Sequence, residues 1–350
     1  MGRILALILA LAVGWVGFEA FRFMSAGPGR ADEEVVFEVR PGLTFQQIAR
    51  DLEAKGLILN SYKMRVVARL TGLDSKVKKG EYKLNRAMTP QEILSVLISG
   101  KSIQYPVTFP EGSNVFEMAA QLEEHGFFKS GEFLKATRDP VVIRELLGIE
   151  VSSLEGYLFP ETYNLTKYTT LRELLGRMVA NFKSVYSQLE NQNPERTKQL
   201  SRHEMVTLAS VVEKETGAPS ERPLIASVFF NRLEKKMRLQ SDPTIIYGIW
   251  VNTGKYKKNI TKDDITRSTP YNTYTVPTLP FGPIANPGRE ALAAVMKPAT
   301  SEYLYFVSRN DGTHEFTVKY DDHMKAVKSF QLDRNAREGK SWRDLKKKGG

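Results

Sequence analysis

The stretch VRPGLTFQQIARDLEAKGLI, Val39 to Ile58, returns 70 residues later as FPEGSNVFEMAAQLEEHGFF, Phe109 to Phe128. At that offset Gly42 meets Gly112, Ala49 meets Ala119, Leu52 and Glu53 meet Leu122 and Glu123, and Gly56 meets Gly126. Each copy reads as a short strand (VVFEV, QYPVTF), a Pro/Gly turn, and a helix stopped by glycine. In the first copy Ile48, Leu52 and Leu57 make the buried stripe. A second helix is expected after each, in SYKMRVVARLTG and SGEFLKATRD. Joined by GEYKLNRAMTPQEILSVLISGK, the copies (about 35–100 and 104–150) form an α+β module over 35–150, an ordinary domain size.

Working outward to the N-terminus, Ile4 to Phe18 carries no charge, and Glu19 and Arg22 follow among phenylalanines. Fifteen residues suit a signal-peptide core, whereas a bilayer span needs about 20. Counting on to Met24 reaches 21, with Glu19 and Arg22 near enough to one end to snorkel. No A-x-A cleavage site follows, which favours an uncleaved anchor over 1–24 against a removed signal. Either way the body is exported, and Arg3 on the short side argues for a cytoplasmic N-terminus. SAGPGRADEE, 25–34, is the expected linker.

The chain is long enough for two domains, and its 41% apolar and 10% aromatic content is that of a folded protein. With no cysteine, disulfides, thiolate zinc sites and a cysteine nucleophile are excluded. The net charge of +10 suits an acidic partner such as anionic lipid or an acidic polymer, or simply a solvated basic surface. Export argues against nucleic acid despite that charge. No HExxH, P-loop, G-x-G-x-x-G or G-x-S-x-G occurs, so no metal and no cofactor is expected.

From Ser153 the texture changes. Residues 172–189, 202–216 and 221–237 read as amphipathic helices, the last with Pro223 in its first turn. Gly, Pro, Asn and Tyr then crowd 240–288, a loop-rich region of the kind where binding and catalysis reside. EYLYFVSR and THEFTVKY around NDG signal a hairpin. A catalytic domain of mixed α/β character over 151–332 is expected, with a charged tail at 333–350. Within LASVVEKETG, Leu208 to Gly217, the helical wheel places Glu213 among Val206, Ala209 and Val212, with Lys214 pointing away and Glu215 at the arc's edge. A carboxyl there would be desolvated and its pKa raised, as a general acid requires. The rival reading is a glutamate paired with Lys214, Arg232 or another cation.

LEGYLFPETY, LASVVEKETG, FFNRLEKKMRLQSDPTIIYG, STPYNTY, GPIANPG and DGTHEFTVKYDDH, in that order, resemble the endolytic murein transglycosylases, from the anchor to about Phe330. Phe281 and Met324 depart from the pattern, where proline and asparagine are usual. The resemblance implies LysM-like N-terminal copies and Glu213 as catalytic acid/base. It also implies peptidoglycan glycan strands as substrate, cut at the MurNAc–GlcNAc bond to leave 1,6-anhydroMurNAc ends. Glu213 would protonate the leaving oxygen and then take the proton of the C6 hydroxyl that attacks C1. It further implies a role in ending strand growth beside peptidoglycan synthases (penicillin-binding proteins).

Substrate-binding roles are expected for Glu155 and Tyr157 in the first motif, and for Gln240, Ser241 and Asp242 before Pro243. Tyr271, Asn272 and Tyr274 offer stacking and amide bonding, Asn286 is the one contact expected from GPIANPG, and His314 a hydrogen-bonding strand residue. Helix capping by Asp242 and loop packing by the PYNTY residues are their structural alternatives. Two other readings stand open: a muramidase-type hydrolase with Asp242 or Glu155 as second carboxylate, and a non-catalytic peptidoglycan-binding scaffold.

Overall fold

The computed structural model describes residues 2–29, 34–193, 200–216 and 218–332. The expected tail at 333–350, part of the expected linker (30–33) and Gly217 lie outside the described residues. The chain is mixed α/β, and the strands of the described residues form three two-stranded sheets. It divides into two compact units, Met1–Pro106 with Asn164–Thr170, and Val107–Tyr163 with Leu171–Gly350.

The first unit begins with α1 (Gly2–Met24) and continues through β1 (Glu34–Val39), α2 (Phe45–Ala54), α3 (Ser61–Leu70), β2 (Gly80–Asn85) and α4 (Pro90–Ser99). Strands β1 and β2 pair antiparallel, Glu34 opposite Asn85 and Val39 opposite Gly80. Alternation sends Phe37 and Val39 to a core shared with Tyr82, Leu84, Ile48, Leu52 and Leu97. The turn into α2 uses Gly42 at φ +80°, a left-handed conformation that a side chain would strain. Thr44 and Gln47 then form a capping box. Residues Arg3–Met24 of α1, mean hydropathy 2.2, make the one helix among the described residues long and apolar enough to cross a bilayer. Its last turns belong to the folded unit: Phe23 joins the core and Glu19 accepts from Lys63 Nζ at 2.9 Å.

The second copy of the repeat repeats this local design. After β3 (Tyr105–Thr108), paired with β4 (Thr162–Leu165), come α5 (Val115–Glu124), α6 (Ser130–Ala136) and α7 (Pro140–Leu147). Gly112 takes φ +76° where Gly42 took +80°, and Asn114 with Glu117 forms the capping box. Glu123 accepts from Ser130 Oγ at 2.6 Å as Glu53 does from Ser61 Oγ at 2.5 Å.

The packing partners, however, differ from a module closed over 35–150. The division falls at Pro106/Val107, and the second copy packs with the residues that follow it. Val115 N–H donates to Glu155 at 3.0 Å, Asn286 Nδ2 donates to the Ser113 carbonyl at 2.9 Å, and Leu154 N–H donates to the Thr137 carbonyl at 2.8 Å. Two copies with one local design thus bury their faces against different neighbours.

The rest of the second unit comprises α8 (Leu171–Gln192), α9 (Arg202–Glu215), α10 (Arg222–Glu234), α11 (Asp242–Thr253), α12 (Lys262–Thr266) and α13 (Arg289–Met296). It ends in the hairpin β5 (Tyr305–Ser308) and β6 (His314–Thr317) and in α14 (Tyr320–Val327). The hairpin is antiparallel, Tyr305 opposite Thr317 and Ser308 opposite His314. The loop-rich stretch contains a helix of 12 residues, α11, with Pro243 in its first turn and Gly254 at φ +68° as its left-handed cap.

At the centre lies α9, expected to be amphipathic but buried at every residue from Met205 to Glu213, packed by α10, α11 and α13. A helix enclosed on all sides has no solvent face, so no arc on its wheel is special. Ser201 and Glu204 close its N-terminus with a capping box.

Leu122→Ala is expected to destabilise the protein by about 2–5 kcal/mol, as for a fully buried leucine that leaves a cavity. Glu124→Ala on the exposed flank of α5 should stay within about 0.5 kcal/mol. Urea denaturation midpoints measure both.

Candidate active site

Three charges close α9: Glu213, Lys214 and Glu215. Each is met differently. The Glu213 side chain is 4% exposed. One of its oxygens accepts from the Arg222 guanidinium at 2.7 Å and the other from Gly288 N–H at 3.0 Å. Gly288 begins α13, so the carboxylate also meets the positive end of that helix. A Cβ on Gly288 would fall 1.9 Å from a Glu111 carboxylate oxygen, so a side chain there would displace the Glu111 carboxylate. Burial, and then the Glu213 charge, raise the Glu111 pKa. Glu213 is therefore the paired glutamate of the rival reading, with Arg222 on the next helix as its cation. Lys214 donates to the Gly112 carbonyl at 3.1 Å.

Glu215, at the end of the helix, is half-buried and faces a cavity of about 660 Å³. Gln240, Asp242, Tyr274, His314 and His323 line the same cavity. Ser241 Oγ donates a hydrogen bond to Glu215. Burial, reinforced by the Asp242 charge, pushes the Glu215 carboxyl up to about 7, against the pull of Ser241 and Arg232. The buried Arg232 supports the wall by donating to the Leu304 and Leu239 carbonyls, both at 2.6 Å.

Residues 240–242 are held in place rather than loosely draped. Gln240 adopts φ +51°, an uncommon conformation for a side-chain-bearing residue, with its N–H on the Thr273 carbonyl at 3.2 Å. Ser241 N–H donates to Thr273 Oγ1 at 2.9 Å, which orients the hydroxyl toward Glu215. Asp242 is the first residue of α11 and does not cap it. Its carboxylate is exposed and accepts from Tyr274 OH at 2.6 Å. His314 is anchored twice to Glu221, N–H to Oε1 at 2.9 Å and Nδ1 to Oε2 at 2.7 Å.

Of the residues expected at the site, Gln240, Asp242, Tyr274 and His314 thus meet around one cavity, buried Ser241 reaches it through Glu215, and Glu213 does not line it. Four others are internal. Glu155, 2% exposed, accepts from Val115 N–H at 3.0 Å, Tyr247 OH at 2.9 Å and Asn286 Nδ2 at 2.8 Å. Burial pushes its carboxyl up to about 8 against the pull of the Val115 N–H and the Tyr247 hydroxyl. Asn286 uses its oxygen for Gly156 and Leu158 N–H, at 2.9 and 3.0 Å. Asn272 donates to the Asp264, Ile265 and Arg267 carbonyls. Tyr157 is enclosed, its hydroxyl 2.8 Å from His203 Nδ1 and its ring edge-on to Phe182. These four side chains have no surface to offer a sugar; their polar atoms tie distant segments together. Tyr271 packs edge-on against Tyr247 and Phe281 and lies outside the cavity wall.

Glu215 is the residue that the helical wheel passed over. Its signal is positional: it stands in the last turn of a buried helix, immediately before the loop-rich region. Arg232 and Thr273 lie inside the quoted motifs but are not singled out for the site there, and Arg222 carries no motif signal.

The fold and cavity define a two-unit α/β protein with an acid-lined polar pocket. The profile of the YceG-like family matches residues 37–329, and the chain belongs to that family. It is 31% identical over 317 residues to the endolytic murein transglycosylase of Bacillus subtilis, covering 86% of each chain. It is 31% identical over 328 residues to the endolytic murein transglycosylase of Streptococcus pneumoniae, covering 84% of this chain and 58% of that protein. The crystal structure of a yceG-like protein from Listeria monocytogenes is similar at 29% identity and a TM-score of 0.56, over 84% of this chain and 99% of the other.

Glu213→Gln is expected to cost about 3–5 kcal/mol, because it removes the close, buried counter-charge of Arg222 and leaves only the half-exposed Glu111 carboxylate at 3.9 Å. Asn286→Ala should cost about 2–4 kcal/mol by orphaning the Gly156 and Leu158 N–H groups. Glu215→Gln should change stability by less than about 1 kcal/mol, since the group faces a cavity and is not a structural clamp. Thermal and urea unfolding of the three variants check this order.

Proposed function

We propose that this protein is an endolytic murein transglycosylase in which Glu215, rather than Glu213, is the general acid and base. The observation that carries the assignment is the cavity: Glu215 faces it with a carboxyl raised to about 7, whereas both Glu213 oxygens are engaged inside the protein. A glycosidic oxygen leaves only when protonated, and a carboxyl with pKa near the working pH serves best. The Glu215 proton goes to the leaving oxygen of the MurNAc–GlcNAc bond as the C1–O bond breaks. Glu215, now a carboxylate, takes the proton from the C6 hydroxyl as O6 bonds to C1. The ring closes to 1,6-anhydroMurNAc, the carboxyl is regenerated, and no water is consumed. Intramolecular attack carries a large effective-molarity advantage over water.

Gln240 and Tyr274 supply hydrogen-bonding groups at the cavity wall, and the fixed Ser241 hydroxyl holds the Glu215 carboxyl in position. Asp242 shares the cavity, which is the one feature that would serve a hydrolase needing a second carboxylate. The apolar helix α1 supports a single-pass membrane anchor with a cytoplasmic N-terminus and an extracytoplasmic catalytic unit. Such a tether confines the enzyme to nascent strands near the membrane, beside the synthases that elongate them. The two repeat copies are LysM-like units that dock glycan or act as spacers.

Full-length protein in detergent, incubated with uncross-linked glycan strands, should yield ends one water lighter than reducing ends by mass spectrometry. Glu215→Gln should lower that yield by about a hundredfold or more, while the folded fraction of Glu213→Gln keeps it. Because the acid must start protonated, the rate should fall about tenfold per pH unit above about 7. Undiminished cleavage by Glu215→Gln would overturn the assignment, and reducing ends as product would make the enzyme a hydrolase.

A further inference from the structure

Helix α3 leaves an unpartnered face. Its core side is taken by Met64 and Ala68, both fully buried. The opposite side exposes Tyr62 (69%), Val66 (37%) and Leu70 (80%). Arg65 and Arg69 flank this stripe, on the helix positions beside it. With Thr44, Phe45 and Gln46 from the start of α2, and with Asp74, whose carboxylate lies 3.8 Å from the highly exposed Arg69, these residues line a groove of about 420 Å³.

The same helix runs beside α1. Lys63 pairs with Glu19 at 2.9 Å. A crevice of about 270 Å³ lies between Trp15, Val16 and Ala20 on α1 and Tyr62, Val66 and Val67 on α3. So α3 meets α1 where the uncharged run Ile4–Phe18 ends, at the level where a bilayer would give way to its headgroups. Apolar side chains, an aromatic with a polar tip and two arginines on one exposed face are the composition of an interfacial helix.

We propose that the Tyr62–Leu70 face of α3 docks on the surface of an anionic phospholipid bilayer, so that the first unit is seated on the membrane rather than merely tethered to it. Tyr62, Val66 and Leu70 enter the headgroup layer, and Arg65 and Arg69 pair with lipid phosphates. The proposal rests on α1 being a bilayer span. Continuity with that span favours lipid over glycan as the occupant, as does charge complementarity, since a glycan site has no need of paired arginines.

The chain has no cysteine, so single cysteines can be labelled in the full-length protein. Leu70→Cys and, separately, Leu9→Cys would carry an environment-sensitive fluorophore. Each would be reconstituted into vesicles of phosphatidylcholine alone or mixed with phosphatidylglycerol, with doxyl-labelled lipid as quencher. Quenching at position 70 that is stronger in the anionic vesicles, and weakened about fivefold per arginine removed in Arg65→Ala and Arg69→Ala, would support docking. If position 9 is quenched and position 70 is not, the docking surface is wrong although the anchor stands. If neither is quenched, the anchor reading itself fails and the proposal goes with it. An unquenched label at position 70 whose emission shifts on adding soluble glycan strands would assign the face to glycan instead.

Discussion

α9 is buried at every residue from Met205 to Glu213 and then ends in Glu213, exposed Lys214 and half-buried Glu215. Each charge is met by something the fold supplies. Glu213 receives the Arg222 guanidinium and the first N–H of α13; Lys214 reaches the Gly112 carbonyl. Glu215 is the one of the three that faces the cavity, balanced by Ser241 on one side and crowded by the Asp242 charge on the other. The difference between two glutamates a residue apart is therefore one of compensation. The first is neutralised as a structural ion pair, and the second is held in an environment that raises its carboxyl to about 7, so that both protonation states are accessible near neutral pH.

That arrangement needs a rigid frame, and buried polar clamps provide it. Glu155 and Asn286 bond to each other and, between them, join the start of α5, the 156–158 turn, α11 and the approach to α13. Thr273 and Asn272 do the same for the cavity wall, fixing Ser241 and the C-terminal end of α12. Such side chains sit in glycine- and proline-rich loops because loops present unpaired backbone groups, and a buried amide that satisfies several at once avoids the cost of leaving them bare. From the sequence, these residues look like ligand-binding polar groups. In the fold, most of them are bound to the protein itself.

The two repeat copies illustrate how local and long-range information separate. Gly42 and Gly112, the capping boxes Thr44–Gln47 and Asn114–Glu117, and the Glu53–Ser61 and Glu123–Ser130 pairs are all local, and all were open to a reader of the sequence as a repeated pattern. What the copies pack against was not. The second copy is drawn to Glu155, Leu154 and Asn286, residues up to 173 positions away from their partners. No pattern of period or spacing encodes such pairings.

What the sequence by itself determined is the set of elements and their order: the apolar N-terminal helix, the duplicated strand–turn–helix, the helices from α8 to α10, the hairpin about NDG, and the family to which the motifs belong. These follow from hydrophobic periodicity, capping residues and turn residues, which act over a few positions. The tertiary structure alone decided which carboxylate faces the cavity. A helical wheel assumes one wet face and one dry face, and α9 has no wet face from Met205 to Glu213. Its glutamates are told apart only by what other segments bring to them: Arg222 and Gly288 to one, Ser241, Asp242 and open volume to the other.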